Sequence, residues 1–440
     1  MEMSEVIAVA GPSGVGKTTI SRMIATICGL EQTLILSSDD LHKWPRSHKK
    51  WLQYTHFDPA ANFLSLGTEH INLLKRGKVV MRKKYDHGTG NFTPLQSVQP
   101  KPFIVTEGLH TLYSKEDATI SDIKIYVETE PHLKDRWKIK RDISKRGYKL
   151  SDVVETINRR KIDEEKYITP QKKNADAIVM FVEREGKIKF TYALKNQRAE
   201  AIMHELNNLY NIHDEFINMS QKLANHFELT QNKGGNMSYK YRESMIITSS
   251  GSSFEDITPT DGFTHCTSNG VQVFSEQKRP SMEAMIHTQI KERTVLHTHP
   301  CYVLAALCSK EAFDIIDNLF GKEVAVVDYY CPGADLSNNF PDSSSTVFAK
   351  NHGLFVGAST FKECFERTLK INDMVKDFLL KGKKQRYLFP DACVLEKENL
   401  FLHGFISSLM QSLSLTPDYL SKKQVYNILN LDAEKYRKET

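Results

Sequence analysis

The sequence lacks the features of a secreted or membrane protein. Its 440 residues contain seven cysteines, an odd number without a CxxC pair, so we expect no disulfide framework. No apolar run approaches the roughly 20 residues that cross a bilayer. The acidic start of the chain lacks the basic flank of a signal peptide. These absences favour a soluble protein of the reducing cytoplasm, without a membrane partner.

A strong excess of either charge is also missing. The chain has 59 Lys and Arg against 54 Asp and Glu, a net charge of +5. No basic stripe interleaved with aromatic residues is present, which argues against a nucleic-acid partner and favours anionic small molecules. Basic residues concentrate between Lys134 and Lys173. On charge alone, a solvated helix face explains this stretch as well as an anion site does.

The length predicts more than one hydrophobic core. Up to about Glu183, short apolar runs alternate with helical patterns, which predicts a parallel sheet layered with helices. The predicted strands are residues 6–10, 33–36, 103–105, 123–127 and 177–182. A polar segment then leads into a helical pattern near Arg198. We therefore expect two domains, residues 1–199 and 200–440.

The second domain has its own pattern. It predicts a glycine turn at 234–235, strands at 245–248 and 294–299, and helices at 281–291 and 361–380. This order is typical of a layered α/β domain. The tail from Glu396 onward shows no clear period, and we expect it to be partly helical.

A phosphate-binding loop follows the first predicted strand. The segment GPSGVGKT is a full GxxxxGK[ST] match in a strand–loop–helix context. Its glycines let backbone amides wrap phosphates. Lys17 would bridge the β- and γ-phosphates of ATP, and Thr18 would bind Mg²⁺. The predicted nucleotide-binding residues are Gly11, Ser13, Gly14, Val15, Gly16, Lys17, Thr18 and Thr19.

Polar residues follow two further predicted strands. Asp39 comes after the second strand, where a carboxylate can deprotonate an attacking hydroxyl. His42 and Arg46 offer cations for a phosphorylated acceptor. The alternative is an Asp helix cap followed by surface charges. Glu107 follows the third strand, where a carboxylate would meet the Mg²⁺ shell.

Five motifs in this order resemble the phosphoribulokinase family, with uridine kinases as more distant relatives. They are DxxHxxxR at 39–46, YDHGTG at 85–90, TEGLH at 106–110, KIKRDISKRG at 138–147, and YITPQ with NAD at 167–176. The resemblance covers nearly all of residues 5–182. It implies a doubly wound P-loop NTPase fold that uses ATP and Mg²⁺.

The same resemblance assigns roles to single residues. It implies that Asp39 is the catalytic base, Lys17 the γ-phosphate contact and Glu107 the carboxylate on the Mg²⁺ side. Residues implied to bind acceptor or nucleotide phosphates, or to lie beside them, are His42, Arg46, Lys138, Arg141, Asp142 and Arg146. The basic stretch is then functional rather than a solvated face. A nucleoside acceptor remains the alternative.

Three histidines of the second domain predict a metal site. His297 and His299 are i and i+2 on a predicted strand, so both side chains point to one face. An HxH pair alone is more often structural. His352 in a polar turn adds a third imidazole, and Glu283 can move a proton. Three His ligands leave an open coordination position for Zn²⁺ or another divalent transition metal.

Seven motifs resemble the class II aldolase/adducin family over about residues 205–380. They are GGNMS at 234–238, ITSSG at 247–251, DITP at 256–259, PSME at 280–283, HTHP at 297–300, YYCPG at 329–333 and NHGLFVG at 351–357. The resemblance implies an α/β/α domain in which the three histidines hold the ion and Glu283 is the acid/base. It also implies a homo-oligomer, a tetramer built through this domain.

The resemblance further implies a substrate phosphate pocket of Asn236, Ser250, Gly251 and Ser281. Tyr330, or its neighbour Tyr329, would protonate the departing aldehyde. Met282 stands where such families often have Ser or Thr, which removes one hydroxyl from the pocket.

Together the two halves predict a bifunctional sugar-phosphate enzyme. The first would phosphorylate a pentose or pentose phosphate with ATP. The second would cleave a ketose phosphate to dihydroxyacetone phosphate and an aldehyde. Epimerisation, dehydration and decarboxylation use the same metal chemistry and remain open. So does a noncatalytic oligomerisation module in the second half.

Overall fold

The computed structural model describes residues 3–231, 234–341, 344–381, 387–389 and 393–395. The expected partly helical tail from Glu396 lies outside these residues. The chain divides into two compact units, Met1–Asn211 and Ile212–Thr440. None of the described helices combines the length and the apolar composition that crossing a bilayer requires.

The first unit is built on a six-stranded sheet. Its ten strands are β1 (Glu5–Ala10), β2 (Thr33–Ser37), β3 (Val80–Arg82), β4 (Tyr85–Asp86), β5 (Asn91–Phe92), β6 (Gln96–Val98), β7 (Phe103–Gly108), β8 (Ile123–Thr129), β9 (Ala177–Arg184) and β10 (Lys187–Leu194). The main sheet has the order β10-β9-β8-β1-β7-β2, and β3 with β6 and β4 with β5 form two small pairs.

All five strands predicted in this unit are present and pair in parallel. Residues 6–10 of β1 are buried on both faces, as the central strand of a parallel sheet requires. The strand β10 was not predicted, and it pairs antiparallel with β9 at the sheet edge. Its side chains are mostly exposed, so it carries little of the apolar signal that marks a strand.

Five helices complete the first unit, and a sixth continues beyond it. They are α1 (Lys17–Cys28), α2 (Leu64–Lys75), α3 (Lys115–Ile120), α4 (Pro131–Arg146), α5 (Leu150–Asp163) and α6 (Glu200–Ala224). The division between the units falls inside α6, and the boundary near residue 200 stays a prediction. Because β1, β2 and β7 run parallel, their carboxyl ends meet at one edge, where ligands bind in such sheets.

The second unit is built on a seven-stranded, mainly antiparallel sheet of order β13-β12-β11-β14-β17-β16-β15. Its strands are β11 (Asn236–Tyr241), β12 (Ser244–Thr248), β13 (Phe263–Thr267), β14 (Thr294–Thr298), β15 (Ala325–Val327), β16 (Thr346–Ala349) and β17 (Gly353–Ala358). The strands β18 (Tyr387–Phe389) and β19 (Cys393–Leu395) form a separate pair.

Five helices belong to this unit: α7 (Ala284–Gln289), α8 (Cys301–Leu307), α9 (Ala312–Phe320), α10 (Ala334–Asn338) and α11 (Phe361–Lys381). The predicted helix at 281–291 is shorter in the structure. Pro280 forms a β-bridge with Ser249, and the Ser281 amide donates to the Thr248 carbonyl at 3.0 Å, so these residues extend the sheet edge instead. Both units have the predicted α/β fold class.

Candidate active sites

The loop after β1 brings together the residues predicted to bind nucleotide. Gly11 approaches β8 so closely that a Cβ there would lie 2.2 Å from the Val127 carbonyl oxygen, and its φ is +147°. The Thr18 hydroxyl donates to Glu107 Oε1 at 3.2 Å, and the Ser21 hydroxyl donates to Oε2 at 3.2 Å. The other predicted loop residues Ser13, Gly14, Val15, Gly16 and Thr19 lie in the same turn and at the start of α1.

Charge in this loop fits a phosphate and a divalent cation. Burial lowers the pKa of Lys17 to about 8, although the carboxylates of Glu107 and Asp39 oppose the shift. Burial raises the pKa of Glu107, against the effect of Lys17. A triphosphate beside Lys17 and Mg²⁺ beside Glu107 would each favour the charged form. The donor set therefore suits Mg·ATP.

Asp39 lies directly after β2 and faces two imidazoles. His87 Nε2 is 3.3 Å from Asp39 Oδ2, and His42 Nε2 is 3.7 Å from Oδ1. Burial would raise the pKa of Asp39, but the hydrogen bond from His87 and the charges of His42 and His87 hold it well below its usual value. The side chain that caps this turn is Ser37, which accepts from the Asp39 amide at 3.2 Å. The carboxylate is thus ionised and available to accept a proton.

His42 has a fixed orientation. Asn62 Nδ2 donates to the carbonyls of His56 and Asp58 at 3.2 and 2.9 Å, so its Oδ1 faces His42 Nδ1 at 2.7 Å. Nδ1 therefore carries a proton, and Nε2 points toward Asp39. Burial lowers the pKa of His42, although Asp39 opposes this. The role of His42 as a cation for the acceptor stays a prediction.

The basic stretch of α4 surrounds one carboxylate. Asp142 is 3% exposed and contacts Lys138 Nζ at 2.7 Å, Arg141 Nη2 at 2.9 Å and Arg146 Nη1 at 3.3 Å. Burial and the charge of Arg160 lower the pKa of Lys138 to about 8, although Asp142 opposes this. Lys138 is only 5% exposed, so this part of α4 is not a solvated face. Three cations around one anion leave an excess of positive charge that a substrate phosphate can neutralise.

Several residues near this site were not predicted. His87 lies inside the YDHGTG motif, and its carbonyl accepts from Arg46 Nη2 at 2.5 Å. Arg160 Nη2 lies 2.9 Å from His56 Nδ1, and Trp51 stacks on His56 with ring centroids 3.9 Å apart. His87 could have been found from its motif. His56 and Arg160 are 104 positions apart, and no local pattern links them.

The second unit brings the three predicted histidines to one point. His297 lies in β14 and His299 directly follows the end of that strand. His352 comes from the turn between β16 and β17, where Asn351 has a φ of +56°. All three are buried, and their ligand nitrogens lie within 4.8 Å of one another. His297 Nε2 and His299 Nε2 are 3.0 Å apart.

This nitrogen set fits a metal ion. His297 Nδ1 donates to the Leu354 carbonyl at 3.1 Å, which leaves a lone pair on Nε2. Burial lowers the pKa of His297 to about 4, although Glu283 opposes this, and burial holds the pKa of His299 well below its usual value. Two neutral nitrogens that face each other suit a cation between them. Gly353 keeps the space open, because a Cβ there would lie 2.9 Å from His297 Cε1.

Glu283 lies beside the histidines, directly before α7. Its Oε1 is 2.6 Å from His352 Nε2 and its Oε2 is 3.6 Å from His297 Nε2, while Asn236 Nδ2 donates to Oε2 at 2.5 Å. Burial would raise the pKa of Glu283, but the charges of His297 and His352 and the bonds from His352 and Asn236 hold it well below its usual value. An ionised carboxylate thus lies beside the ligand set.

The remaining predicted residues are more dispersed. The Ser281 hydroxyl accepts from the Glu283 amide at 3.3 Å, and the Ser250 amide donates to the Arg279 carbonyl at 2.8 Å. Gly251 has a φ of +73°, and a Cβ added there would have no atom within 4 Å. The side chain of Met282 is 65% exposed. Tyr330 packs, partly buried, against an apolar cluster that includes Phe355.

Comparisons with known proteins find a match for each half of the chain. A model of the phosphoribulokinase / uridine kinase family matches residues 6–186, and a model of the class II aldolase and adducin N-terminal domain matches residues 214–378. The phosphoribulokinase of Synechocystis sp. is 38% identical over 173 residues, 39% of this chain and 52% of that protein. The uridine kinase of Geobacillus kaustophilus is 31% identical over 179 residues, 40% of this chain and 84% of that kinase.

The chain therefore belongs to the phosphoribulokinase/uridine kinase family through its first half, and its second half matches the class II aldolase and adducin N-terminal domain. It spans about half the length of the phosphoribulokinases that it matches. A solved structure of the N-terminal class II aldolase domain of a Thermoplasma acidophilum protein is similar with a TM-score of 0.34 and 23% identity, over 38% of this chain and 92% of that one.

Proposed function

We propose that this chain is a bifunctional sugar-phosphate enzyme of the cytoplasm. Its first unit phosphorylates a hydroxyl of a pentose or pentose phosphate with Mg·ATP. Its second unit cleaves a ketose phosphate to dihydroxyacetone phosphate and an aldehyde with the help of Zn²⁺ or a similar ion. The observation that carries the proposal is one chain with Asp39, flanked by two imidazoles, in the same unit as a P-loop, and with Glu283 beside three buried histidines.

In the kinase reaction, Asp39 accepts the proton of the attacking hydroxyl. His87 and His42 flank the carboxylate at 3.3 and 3.7 Å, which limits its rotation. Lys17 would contact the γ-phosphate, and Thr18 and Glu107 would hold the Mg²⁺ ion.

The acceptor is held by positive charge and by hydrogen bonds. The cluster of Lys138, Arg141 and Arg146 around Asp142 binds a phosphate on the acceptor or the nucleotide. Arg46 adds a further cation beside His87. These cations favour a phosphorylated sugar over a nucleoside as the acceptor.

In the lyase reaction, His297, His299 and His352 would hold the ion, which as a Lewis acid polarises the carbonyl and adjacent hydroxyl of a ketose. Glu283 moves the proton at the reacting carbon, and Asn236 keeps its carboxylate in place. Ser250, Gly251 and Ser281 bind the substrate phosphate. Tyr330 accepts the proton of the hydroxyl whose carbon becomes the aldehyde, and the enediolate carbon receives a proton through Glu283 after the C–C bond breaks.

The two reactions form a sequence if the kinase places its phosphate on O1 of a ketose, since a 1-phosphoketose yields dihydroxyacetone phosphate on cleavage. The test incubates the protein with Mg·ATP, Zn²⁺ and a panel of pentoses, pentose 5-phosphates and deoxy sugars, while ADP and dihydroxyacetone phosphate are followed together. Both products are expected from one substrate, and Glu283→Ala should abolish only the second. The matched variant Asp39→Asn should abolish both, and added 1-phosphoketose should restore only the second.

Other outcomes separate the alternatives. ADP without dihydroxyacetone phosphate, together with one bound ion per chain, would make the second unit an epimerase, dehydratase or decarboxylase. The absence of a stoichiometric ion would make it an oligomerisation module. We also propose a homotetramer built through the second unit, and a mass other than four chains in light scattering would contradict this.

A further inference from the structure

One face of β11 contacts α7 through three polar side chains. Asn236, Ser238 and Lys240 alternate along the strand, so all three point to the same face. We name these contacts the polar ladder; its three rungs join Asn236 to Glu283, Ser238 Oγ to His287 Nδ1 at 2.7 Å, and Lys240 Nζ to the Ile290 carbonyl. The three contacts lie directly before α7, within it, and directly after it.

The middle rung is the most deeply buried. Ser238 and His287 are both 0% exposed. A buried polar pair that loses one partner leaves the other without a hydrogen bond, which is costly. Burial lowers the pKa of His287 to about 3, although Glu283 opposes this, so the rung is a bond between two neutral groups. The bond between Ser238 and His287 therefore fixes the position of His287 by its geometry and not by an ionic attraction.

The helix α7 depends on such contacts for its position. It has only six residues, too few to be stable alone, so tertiary contacts fix where it lies. Glu283 and His287 are one turn apart, at i and i+4, and therefore share a helix face. A rotation of α7 that breaks the His287 rung would also carry the Glu283 carboxylate away from His352.

We propose that His287 is a positioning residue of the second site, whose bond to Ser238 holds α7 against β11 and thereby keeps the Glu283 carboxylate beside His352 and His297. The inference rests on the proposed function of the second unit. It assigns a role to a residue outside the ligand set and outside the reacting groups. The alternative is a buried histidine that contributes only to stability.

The test uses two substitutions of nearly equal shape, His287→Asn and His287→Leu. The Asn amide can occupy the place of Nδ1 and keep the bond to Ser238, whereas Leu cannot. Thr288→Ala is the matched control on the same helix, because the Thr288 hydroxyl donates only within α7, to the Met285 carbonyl at 2.7 Å. Each protein is loaded with Co²⁺, and its visible spectrum, its Co²⁺ affinity against a chelator, and its kcat and KM for cleavage are measured.

We expect His287→Leu to lower kcat about 100-fold with little change in KM, since a misplacement of about 1 Å can cost this much. Its Co²⁺ spectrum should move in the direction of Glu283→Gln. His287→Asn and Thr288→Ala should stay within about threefold of the unaltered protein in kcat and keep its spectrum.

Equal kcat and equal spectra for the Asn and Leu variants would overturn the proposal. If the unaltered protein cleaves no ketose phosphate, the proposed function fails, and the role of His287 is then judged from the Co²⁺ spectra and affinities alone. A difference between the Asn and Leu variants in these measurements supports the positioning role. Identical spectra and affinities overturn it. If the Leu variant does not fold, Ser238→Ala removes the same rung by the loss of one oxygen. It must then reproduce the expected loss, with Ser238→Thr as its rescue.

Discussion

Replacement of Asp39 by Asn tests the kinase base with the smallest change of shape. The amide cannot accept the proton of the attacking hydroxyl, and loss of a general base costs about 10²–10⁴ in rate. This corresponds to about 3–5.5 kcal/mol of activation free energy, at roughly 1.4 kcal/mol for each factor of ten. Mg·ATP affinity should stay within about threefold, because the predicted nucleotide contacts Lys17 and Thr18 lie at the start of α1 and are not changed.

The neighbouring carboxylate supplies the control. Asp40 Oδ1 accepts from the Tyr85 amide at 2.8 Å, and Oδ2 lies 3.4 Å from Arg82 Nη2. Asp40→Asn should therefore lower the free energy of unfolding by about 1–3 kcal/mol while keeping most of kcat. The assay follows ADP release at saturating acceptor, with Mg·ATP binding measured by calorimetry. An Asp39→Asn enzyme with more than a tenth of the original kcat, or an equal loss in Asp40→Asn, would refute the assignment.

Three further outcomes are expected. Burial lowers the pKa of Lys17 to about 8, so the free enzyme loses the Lys17 proton above that pH. Mg·ATP binding at about pH 8.5 should therefore take up a proton. Calorimetry in buffers of different ionisation enthalpy measures the proton uptake, and its absence would contradict the prediction. Gly353→Ala places a methyl group 2.6 Å from the Thr298 carbonyl oxygen, so bound metal should be lost while ADP formation continues; an unchanged metal content by mass spectrometry would count against the site. Lys138→Met removes one cation beside Asp142 and should raise the KM of the acceptor or of Mg·ATP about tenfold or more. An unchanged KM for both would exclude a phosphate site there.

The sheet of the first unit could be predicted where strands are buried on both faces. Residues 6–10 form such a run, and β1 occupies the centre of the sheet. β10 escaped prediction because Lys187–Leu194 is an edge strand with mainly exposed side chains. The helix predicted at 281–291 was too long, because the apolar pattern does not show that Ser281 bonds back to Thr248.

The candidate sites could be predicted where the residues of a motif are close in sequence, because their spacing then determines how their side chains are arranged. The spacing of His297 and His299 on a strand, and the turn around His352, were enough to predict a cluster that the structure brings together. The contacts of His56 with Arg160 and of Ser238 with His287 join residues that are far apart in sequence. Nothing in the local sequence marks these pairs, since only the tertiary fold brings them into contact.

The most direct test of the two-step account follows one phosphorus atom. The protein is supplied with γ-labelled ATP, Mg²⁺, Zn²⁺ and the sugar that elicits ADP release. If the two reactions occur in sequence, the label passes from ATP to the sugar and then to dihydroxyacetone phosphate. The Glu283→Ala variant should accumulate the labelled sugar phosphate instead. Label that stays in the sugar phosphate equally in the unaltered protein and in Glu283→Ala would contradict it.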